Sequence, residues 1–556
     1  MADWSHEYRR HGWWREETFL DDLRRHARER PDATALVGHR AAGGGPAGER
    51  VGERVGERVG ERVGERVGER VGTAGYADLL ADTERFAAAL LGLGVGPGDV
   101  VAVQLPDWYE LVPLALACAR AGARFCPLMP IYRRYELGHI LALTEAKVCF
   151  TLAELDGDRL ADIVTGLDLP ALEHVVVAGE PRPAGTIAFG DLLGRGGLPV
   201  PPADAELAPD DPFLVLFTSG TTGEPKGVLH SQNTLHASAR GFAGALGLDS
   251  GLVMAVAHVN THMSGFAMGL MVPLLLGGTA VFQDRWDGGV ALDLAESHGV
   301  NLFYGAAPFL TDLLDEQRAR ARSLPALRWV VTGSAQVPPH IVDEVHDVFG
   351  LPTYALWGMT ENGPVTVTRP ADPPGWGAHS DGSPIDGMEL RIDPLKGRDD
   401  GAGPLRVRGP AQCLGYFRRP ELYAAELDGE GWFDTGDLAR DDGRGGIRIA
   451  GRSKDVILYK SFNVPVTEVE AVLGRHPKVR EVAVVGVPHP EVLEEVCAVV
   501  LPAGAPPTLD ELHEHLRAAG MNDWFWPRRL EVVEHMPKTI TGKIRKVELR
   551  QRYGGA

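Results

Sequence analysis

The chain is short of cysteine, of positive charge and of any long uninterrupted apolar run, and each shortage closes off a class of function. Five cysteines in 556 residues, at positions 118, 126, 149, 413 and 497, show neither a metal-ligand nor a redox spacing. They read as reduced packing residues, not as a disulfide frame or a zinc site. Lys and Arg number 56 against 76 Asp and Glu, a net charge of −20. Such a surface repels nucleic acid and anionic membranes, so no nucleic-acid partner is expected and an anionic ligand must be met by local cations. The most membrane-like stretch, 263–282, holds several glycines and Pro273, which suits a buried helix and strand better than a membrane span. The opening residues Met-Ala-Asp-Trp-Ser-His-Glu lack an apolar core behind positive charge, and a cytoplasmic protein is expected.

What is present points to a large α/β protein. At this length one core stops growing, so two or more domains are expected. Helical and strand patterns alternate from residue 76 to 150: helix over 76–93, strand 100–104, helix 108–121, strand 124–127, helix 135–146, strand 148–151. The alternation continues through 253–257, 292–298, 302–304 and 341–348 and predicts parallel sheets covered by helices. Residues 7–30 carry Leu20, Leu23 and His26 at helical spacing, consistent with an amphipathic helix docked on the main body. Six tandem Gly-Glu-Arg-Val copies fill 48–71; a glycine every fourth residue and one valine per repeat bury too little to offset ordering entropy, so an exposed, disordered tip that lengthens a hairpin is expected. The sequence changes character at Gly451-Arg452. The predicted organisation is a large N-terminal domain, 1–450, and a small, mobile α+β domain, 451–556, with helices over 468–473 and 509–518 and strands over 481–487 and 495–501.

Four motifs carry chemistry. The apolar strand pattern 213–217 empties into Thr218-Ser219-Gly220-Thr221-Thr222-Gly223-Glu224-Pro225-Lys226-Gly227. Hydroxyls and close-approaching backbone N–H groups wrap phosphate oxygens, and Lys226 adds a mobile charge. It is not a P-loop, which needs Ser or Thr after its lysine where Gly227 stands. The second, Tyr354-Ala355-Leu356-Trp357-Gly358-Met359-Thr360-Glu361, follows Gly333-Ser334-Ala335 and offers a carboxylate and a hydroxyl suited to Mg²⁺ bound with a nucleotide. The third pairs Asp434-Thr435-Gly436-Asp437 with Gly451-Arg452-Ser453-Lys454; a carboxylate can accept both hydroxyls of a ribose. The fourth is the basic Pro537-Lys538-Thr539-Ile540-Thr541-Gly542-Lys543-Ile544.

In this order the four motifs resemble the adenylate-forming superfamily, which includes acyl-CoA and aryl-CoA synthetases, firefly luciferase and the adenylation domains of peptide synthetases. Tyr8-Arg9-Arg10-His11-Gly12-Trp13-Trp14, Gln104-Leu105-Pro106-Asp107-Trp108, Gly305-Ala306-Ala307-Pro308-Phe309 and Trp526-Pro527 look most like bacterial short- and medium-chain acyl-CoA or cyclohexanecarboxylate-CoA ligases. The resemblance implies that residues 218–223 and Lys226 hold the ATP phosphates, and that Gly333, Ser334, Ala335 and Trp357 flank adenine beside the rest of the second motif. It further implies that Thr360 meets the α-phosphate, Glu361 and Thr222 bind Mg²⁺, Asp437 holds the ribose and Arg452 engages the same sugar or a phosphate. Lys454 would be the hinge, and Lys543 the catalytic ammonium that enters the active site as carboxylate attacks phosphate. Trp357 departs from the family's tyrosine.

The acyl group would lie near His262, the best match to the family's gate, with His258 second and Gly265, Phe266, Tyr304 and Gly305 around it. Apart from histidine, 252–276 has no ionisable side chain, which favours an apolar acyl group over an amino acid, whose ammonium would want a carboxylate partner. Tyr459-Lys460-Ser461-Phe462-Asn463 would face CoA, with Ser461 where relatives have glycine. The reading is an ATP- and Mg²⁺-dependent acyl-CoA synthetase acting on a small carboxylic acid, as a monomer or homodimer. Loading of an acyl carrier protein and a nucleotide-binding scaffold without turnover stay open beside it.

Overall fold

The computed structural model describes residues 4–41, 70–194, 202, 205–218, 225–333, 337–395, 401–452, 457–459, 462–464, 466–489, 493–519, 521, 523–539 and 542–554. The expectations for Ser219, Gly220, Thr221, Thr222, Gly223, Ser334, Ala335, Lys454, Lys460, Ser461 and most of the Gly-Glu-Arg-Val repeat lie outside them.

Two large sheets form the body. The nine-stranded sheet runs Ser383–Pro384, Gly363–Val367, Thr353–Met359, Trp329–Gly333, Leu302–Tyr304, Val253–Val256, Thr279–Gln283, Thr34–Arg40, Arg70–Gly75. Its middle six strands are parallel and its edges antiparallel. The eight-stranded sheet runs Gly415–Tyr416, Lys226–Ser231, Pro212–Thr218, Arg124–Pro127, Val100–Val103, Val148–Leu152, His174–Ala178, Ile187–Ala188. Short β-branched runs buried on both faces, separated by helices such as Tyr76–Gly92 and Leu111–Arg120, demand this arrangement. Arg40 pairs with Arg70, so the strands flanking the repeat do form a hairpin.

The core lies between the sheets. Phe266 packs its ring 5.7 Å from that of Phe125 and 6.2 Å from that of Phe213, joining the helix that starts at Ser264 to the eight-stranded sheet. Each such ring is worth roughly 2–3 kcal/mol of burial. All five cysteines are buried and unbridged. Among the described residues no helix is long and apolar enough to cross a membrane.

Three features depart from the sequence reading. The single N-terminal helix is two, Ser5–Arg10 and Phe19–Glu29, because Gly12 turns the chain at φ +70 and Thr18 caps the second. Residues 264–271 form a π-helix, closed by the α-helical Val272–Leu276. An antiparallel sheet unforeseen in the sequence, Glu389–Ile392, Gly403–Arg408, Phe433–Asp441, Ile447–Arg452, sits before the C-terminal unit.

That last unit has its own sheet, Phe462–Val464, Ile457–Tyr459, Leu493–Pro502, Val479–His489, with Arg529–Val532 parallel to Leu493–Pro502. Its side chains alternate by two: Val484, Val496 and Val500 pack on helices Val466–Leu473 and Leu509–Ala518, whereas Ala483, Val485 and Val499 pack on Leu549 of helix Lys546–Tyr553.

Candidate active site

Thr218 and Lys226 are Cα partners across an antiparallel pair, so the two ends of the Thr/Ser/Gly motif are fixed side by side. The Lys226 ammonium lies 4.8 Å from the Tyr416 ring centroid and 3.6 Å from Glu426. The Tyr416 hydroxyl in turn donates to Glu361 Oε1 at 2.9 Å. Lys226 and Glu361 are thus joined through one tyrosine on the strand Gly415–Tyr416, which sequence reading did not single out. The signal available was Gly415-Tyr416-Phe417, an aromatic pair with no charge to draw attention.

Glu361 is buried in the reversal between Thr353–Met359 and Gly363–Val367. His230 holds that reversal from behind: Nε2 lies 2.7 Å from the Thr360 carbonyl oxygen and Nδ1 2.9 Å from Thr234 Oγ1. Burial pushes His230 down to about 4, so the ring is neutral and its Nε2–H donates to Thr360. The donor set fits Mg²⁺, for Glu361 offers a hard carboxylate oxygen beside the Thr360 hydroxyl, and a nucleotide supplies the remaining oxygens. No group of three or more His, Cys, Asp or Glu able to hold a metal by itself occurs among the described residues.

The second and third motifs meet at one bond: Trp357 Nε1 donates to Asp437 Oδ2 at 3.0 Å, with both residues buried. Thr435 Oγ1 braces Asp437 by accepting its backbone N–H at 3.1 Å while donating to the Leu405 carbonyl at 2.7 Å. Asp437 pairs with Arg452 across the sheet, and Gly333 ends a strand paired with Leu356. The adenine wall and the ribose carboxylate expected from sequence are therefore neighbours, linked by the tryptophan that departs from the family pattern.

In the fourth motif Lys538 and Ile544 are antiparallel bridge partners. Thr539 N–H donates to the Lys543 carbonyl at 2.7 Å, and Lys543 N–H donates to Thr539 Oγ1 at 3.1 Å. A Cβ on Gly542 would sit 3.3 Å from Pro308. The Lys543 charge adds to the effect of burial at His262 and His258. Burial first, then the Lys543 ammonium, brings His262 to about 3; burial, His262 and Lys543 keep His258 well below its ordinary value. His262 is half-buried, whereas His258 is fully buried behind it with its ring 4.9 Å from Tyr304 and 5.5 Å from Phe309. Gly265 is required by space: a Cβ there would lie 2.2 Å from the Val259 carbonyl oxygen. Phe266, expected beside the acyl group, instead faces the inter-sheet core because its π-helix turns it toward Phe125 and Phe213. Tyr459 and Phe462 are Cα partners across an antiparallel pair of the C-terminal sheet.

A comparison with known families matches residues 23–417 to the AMP-binding enzyme and residues 468–543 to the AMP-binding enzyme C-terminal domain. The chain belongs to the AMP-binding enzyme family. As a member, it is 31% identical over 553 residues to a medium-chain fatty-acid–CoA ligase of Escherichia coli, covering 98% of this chain and 92% of that one. It is also 31% identical over 574 residues to a salicyl-AMP ligase / salicyl-S-ArCP synthetase of Mycobacterium tuberculosis, covering 100% and 94%. Among solved structures it is similar to an anthranilate CoA ligase in complex with anthranoyl-AMP, at TM-score 0.83 and 25% identity, covering 97% of each chain. The mixed α/β body with a smaller C-terminal domain matches that architecture.

Proposed function

We propose that this AMP-binding enzyme activates a small apolar carboxylic acid with ATP and passes the acyl group to the thiol of CoA. The observation that carries the reading is the seat of the Lys543 segment on the N-terminal body: a Cβ on neighbouring Gly542 would lie 3.3 Å from Pro308, and the Lys543 charge adds to the burial that lowers His262 and His258. Carboxylate and α-phosphate are both anions, and an ammonium fixed between them stabilises the charge that develops as they meet. In the first half-reaction a carboxylate oxygen bonds to the α-phosphorus and pyrophosphate leaves. In the second the thiol sulfur bonds to the acyl carbon, AMP leaves, and the thiol proton passes to solvent.

The residues divide the work. Thr218 to Gly223 and Lys226 cradle the phosphates, Trp357 and the Gly333–Ala335 stretch flank adenine, and Asp437 with Arg452 holds the ribose. Glu361 and Thr222 would hold Mg²⁺, which supplies charge neutralisation at the phosphates. His262, kept neutral by burial, offers the acyl carboxylate a hydrogen-bonding wall, with neutral His258 packed behind it and Lys543 as the one cation of the group. Gly305 and Tyr304 complete the acyl side. Between half-reactions the C-terminal domain, starting at 451, turns about Lys454, withdraws Lys543 and brings Lys460, Ser461 and Phe462 toward CoA.

A second reading, transfer to a carrier-protein phosphopantetheine, is favoured by the full-length similarity to the salicyl-S-ArCP synthetase. Incubation with ATP, Mg²⁺, CoA and a panel of hexanoate, octanoate, cyclohexanecarboxylate and benzoate separates the two. Acyl-CoA in the absence of any carrier protein supports the first, and pyrophosphate release without acyl-CoA supports the second. No pyrophosphate release with any acid overturns both.

A further inference from the structure

The segment 258–262 carries more buried polarity than its surroundings satisfy. His258 Nδ1 and Nε2, Asn260 Nδ2 and Thr261 Oγ1 are all buried without a hydrogen-bond partner, and the three residues are 2%, 2% and 3% exposed. Its backbone is better held: the His262 N–H donates to the Val259 carbonyl at 3.0 Å, and the Phe266 N–H to the His262 carbonyl at 2.8 Å. The Asn260 N–H points elsewhere, to Oδ1 of Asp107 at 2.9 Å. Asp107 follows strand Val100–Val103 of the other large sheet, so this bond ties the turn to a separate layer of the molecule.

Beside Val259 the turn borders a partly open recess. A cavity of about 150 Å³ is walled by Asp107, Pro106, Ile131, Val259, Asp284 and Arg285, among others. The recess leaves room beside Val259, and a turn freed of its anchor can shift into it. On its other flank the turn touches the π-helix at Gly265, where no Cβ fits. A displaced turn therefore moves the imidazoles that meet Lys543.

We propose that Asp107 is a positioning residue for the acid-binding gate: by accepting the Asn260 N–H, its carboxyl fixes the turn His258–His262 so that both imidazoles face Lys543. This rests on the reading of that turn as the gate. Burial, reinforced by Asp284 and opposed by the Asn260 N–H, raises Asp107 to about 8. The anchor is then a neutral carboxyl whose oxygen accepts, a role that an asparagine amide oxygen can fill in the same space.

The test measures pyrophosphate release by the full chain, with the most active acid of the panel above, for D107A, D107N, H262A and D107A/H262A. Thermal melts are recorded for each, and D107S replaces D107A if the latter does not fold. An orphaned backbone N–H costs enough that D107A should raise the KM for the acid about tenfold, with the KM for ATP within twofold of the parent. D107N should restore the acid KM to within about threefold, and D107A should add less than about twofold on the H262A background, since both act through one gate. The proposal falls if D107A leaves the acid KM unchanged, if acid and ATP KM rise together, if D107N is as impaired as D107A, or if the two losses simply add. An inert H262A sinks the gate reading and the proposal with it, whereas a damaged H262A beside an inert D107A sinks the proposal alone.

Discussion

Replacing Trp357 by Phe keeps the aromatic face proposed to lie against adenine but deletes the N–H that donates to Asp437 Oδ2 at 3.0 Å. Trp357 is 8% and Asp437 7% exposed, so water cannot replace the lost donor in full. Hydrogen bonds to a charged group contribute roughly 1.5–3 kcal/mol, and the lower end applies because ribose hydroxyls take over part of the bonding once nucleotide is present. About 1.5 kcal/mol corresponds to about a tenfold rise in the KM for ATP. The KM for the acid should stay within about twofold, since the bond is made on the nucleotide side. ATP saturation of pyrophosphate release measures this directly, and D437N with W357F/D437N closes a double-mutant cycle. A coupling energy of about 1.5 kcal/mol is expected. An ATP KM unchanged in W357F, together with strictly additive losses, would show that the bond does not organise the ribose carboxylate and would refute the reasoning.

Three further outcomes follow from the geometry. Y416F removes the hydroxyl that donates to Glu361 at 2.9 Å and should raise the Mg²⁺ concentration needed for half-maximal activity by about tenfold, as outer-sphere partners of a metal ligand do; a magnesium titration superimposable on the parent's would contradict it. G265A forces a Cβ to 2.2 Å from the Val259 carbonyl and should cost at least about 2 kcal/mol of stability in a denaturant melt, with activity lost before the fold. His230 is a base whose pKa drops from 6.5 to about 4 on folding, so the unfolded chain binds the extra proton and stability falls as pH drops through this window. That residue alone accounts for a loss of about 2 kcal/mol between pH 7 and pH 5, and H230Q should flatten the pH dependence of the melting temperature; equal slopes would exclude it.

How far the sequence could be read depended on how local the signal was. The strand Arg124–Pro127 and the helix Leu509–Ala518 fall where their patterns put them, because apolar period and flanking turn residues are written within a few positions. Trp357, Thr360, Glu361 and Asp437 could be picked out because each belongs to a contiguous motif. The residues that brace them could not. His230 and Tyr416 reach Thr360 and Glu361 across long stretches of chain, and a lone histidine or tyrosine carries no spacing that reveals such a bond; Asp107 belongs to the Gln104–Trp108 motif, but nothing there points to Asn260. The antiparallel sheet of 389–452 was missed for a related reason: its strands are short and interspersed with Gly, Pro and Asp, so turn chemistry masks their alternation. The π-helix at Ser264–Met271 reflects tertiary demand, since the backbone must approach Val259 at Gly265, and no periodicity reports that.

In the proposed reaction Lys543 bears the heaviest chemical demand, as the cation placed between two anions. Its replacement by Ala should lower acid-dependent ATP–pyrophosphate exchange by at least about a hundredfold. Formation of acyl-CoA from supplied acyl-adenylate and CoA should remain within about threefold of the parent, because in that half-reaction the lysine has no phosphate attack to assist. Pyrophosphate exchange at the parent's rate in K543A, or equal losses in both half-reactions, would contradict the role given to this ammonium.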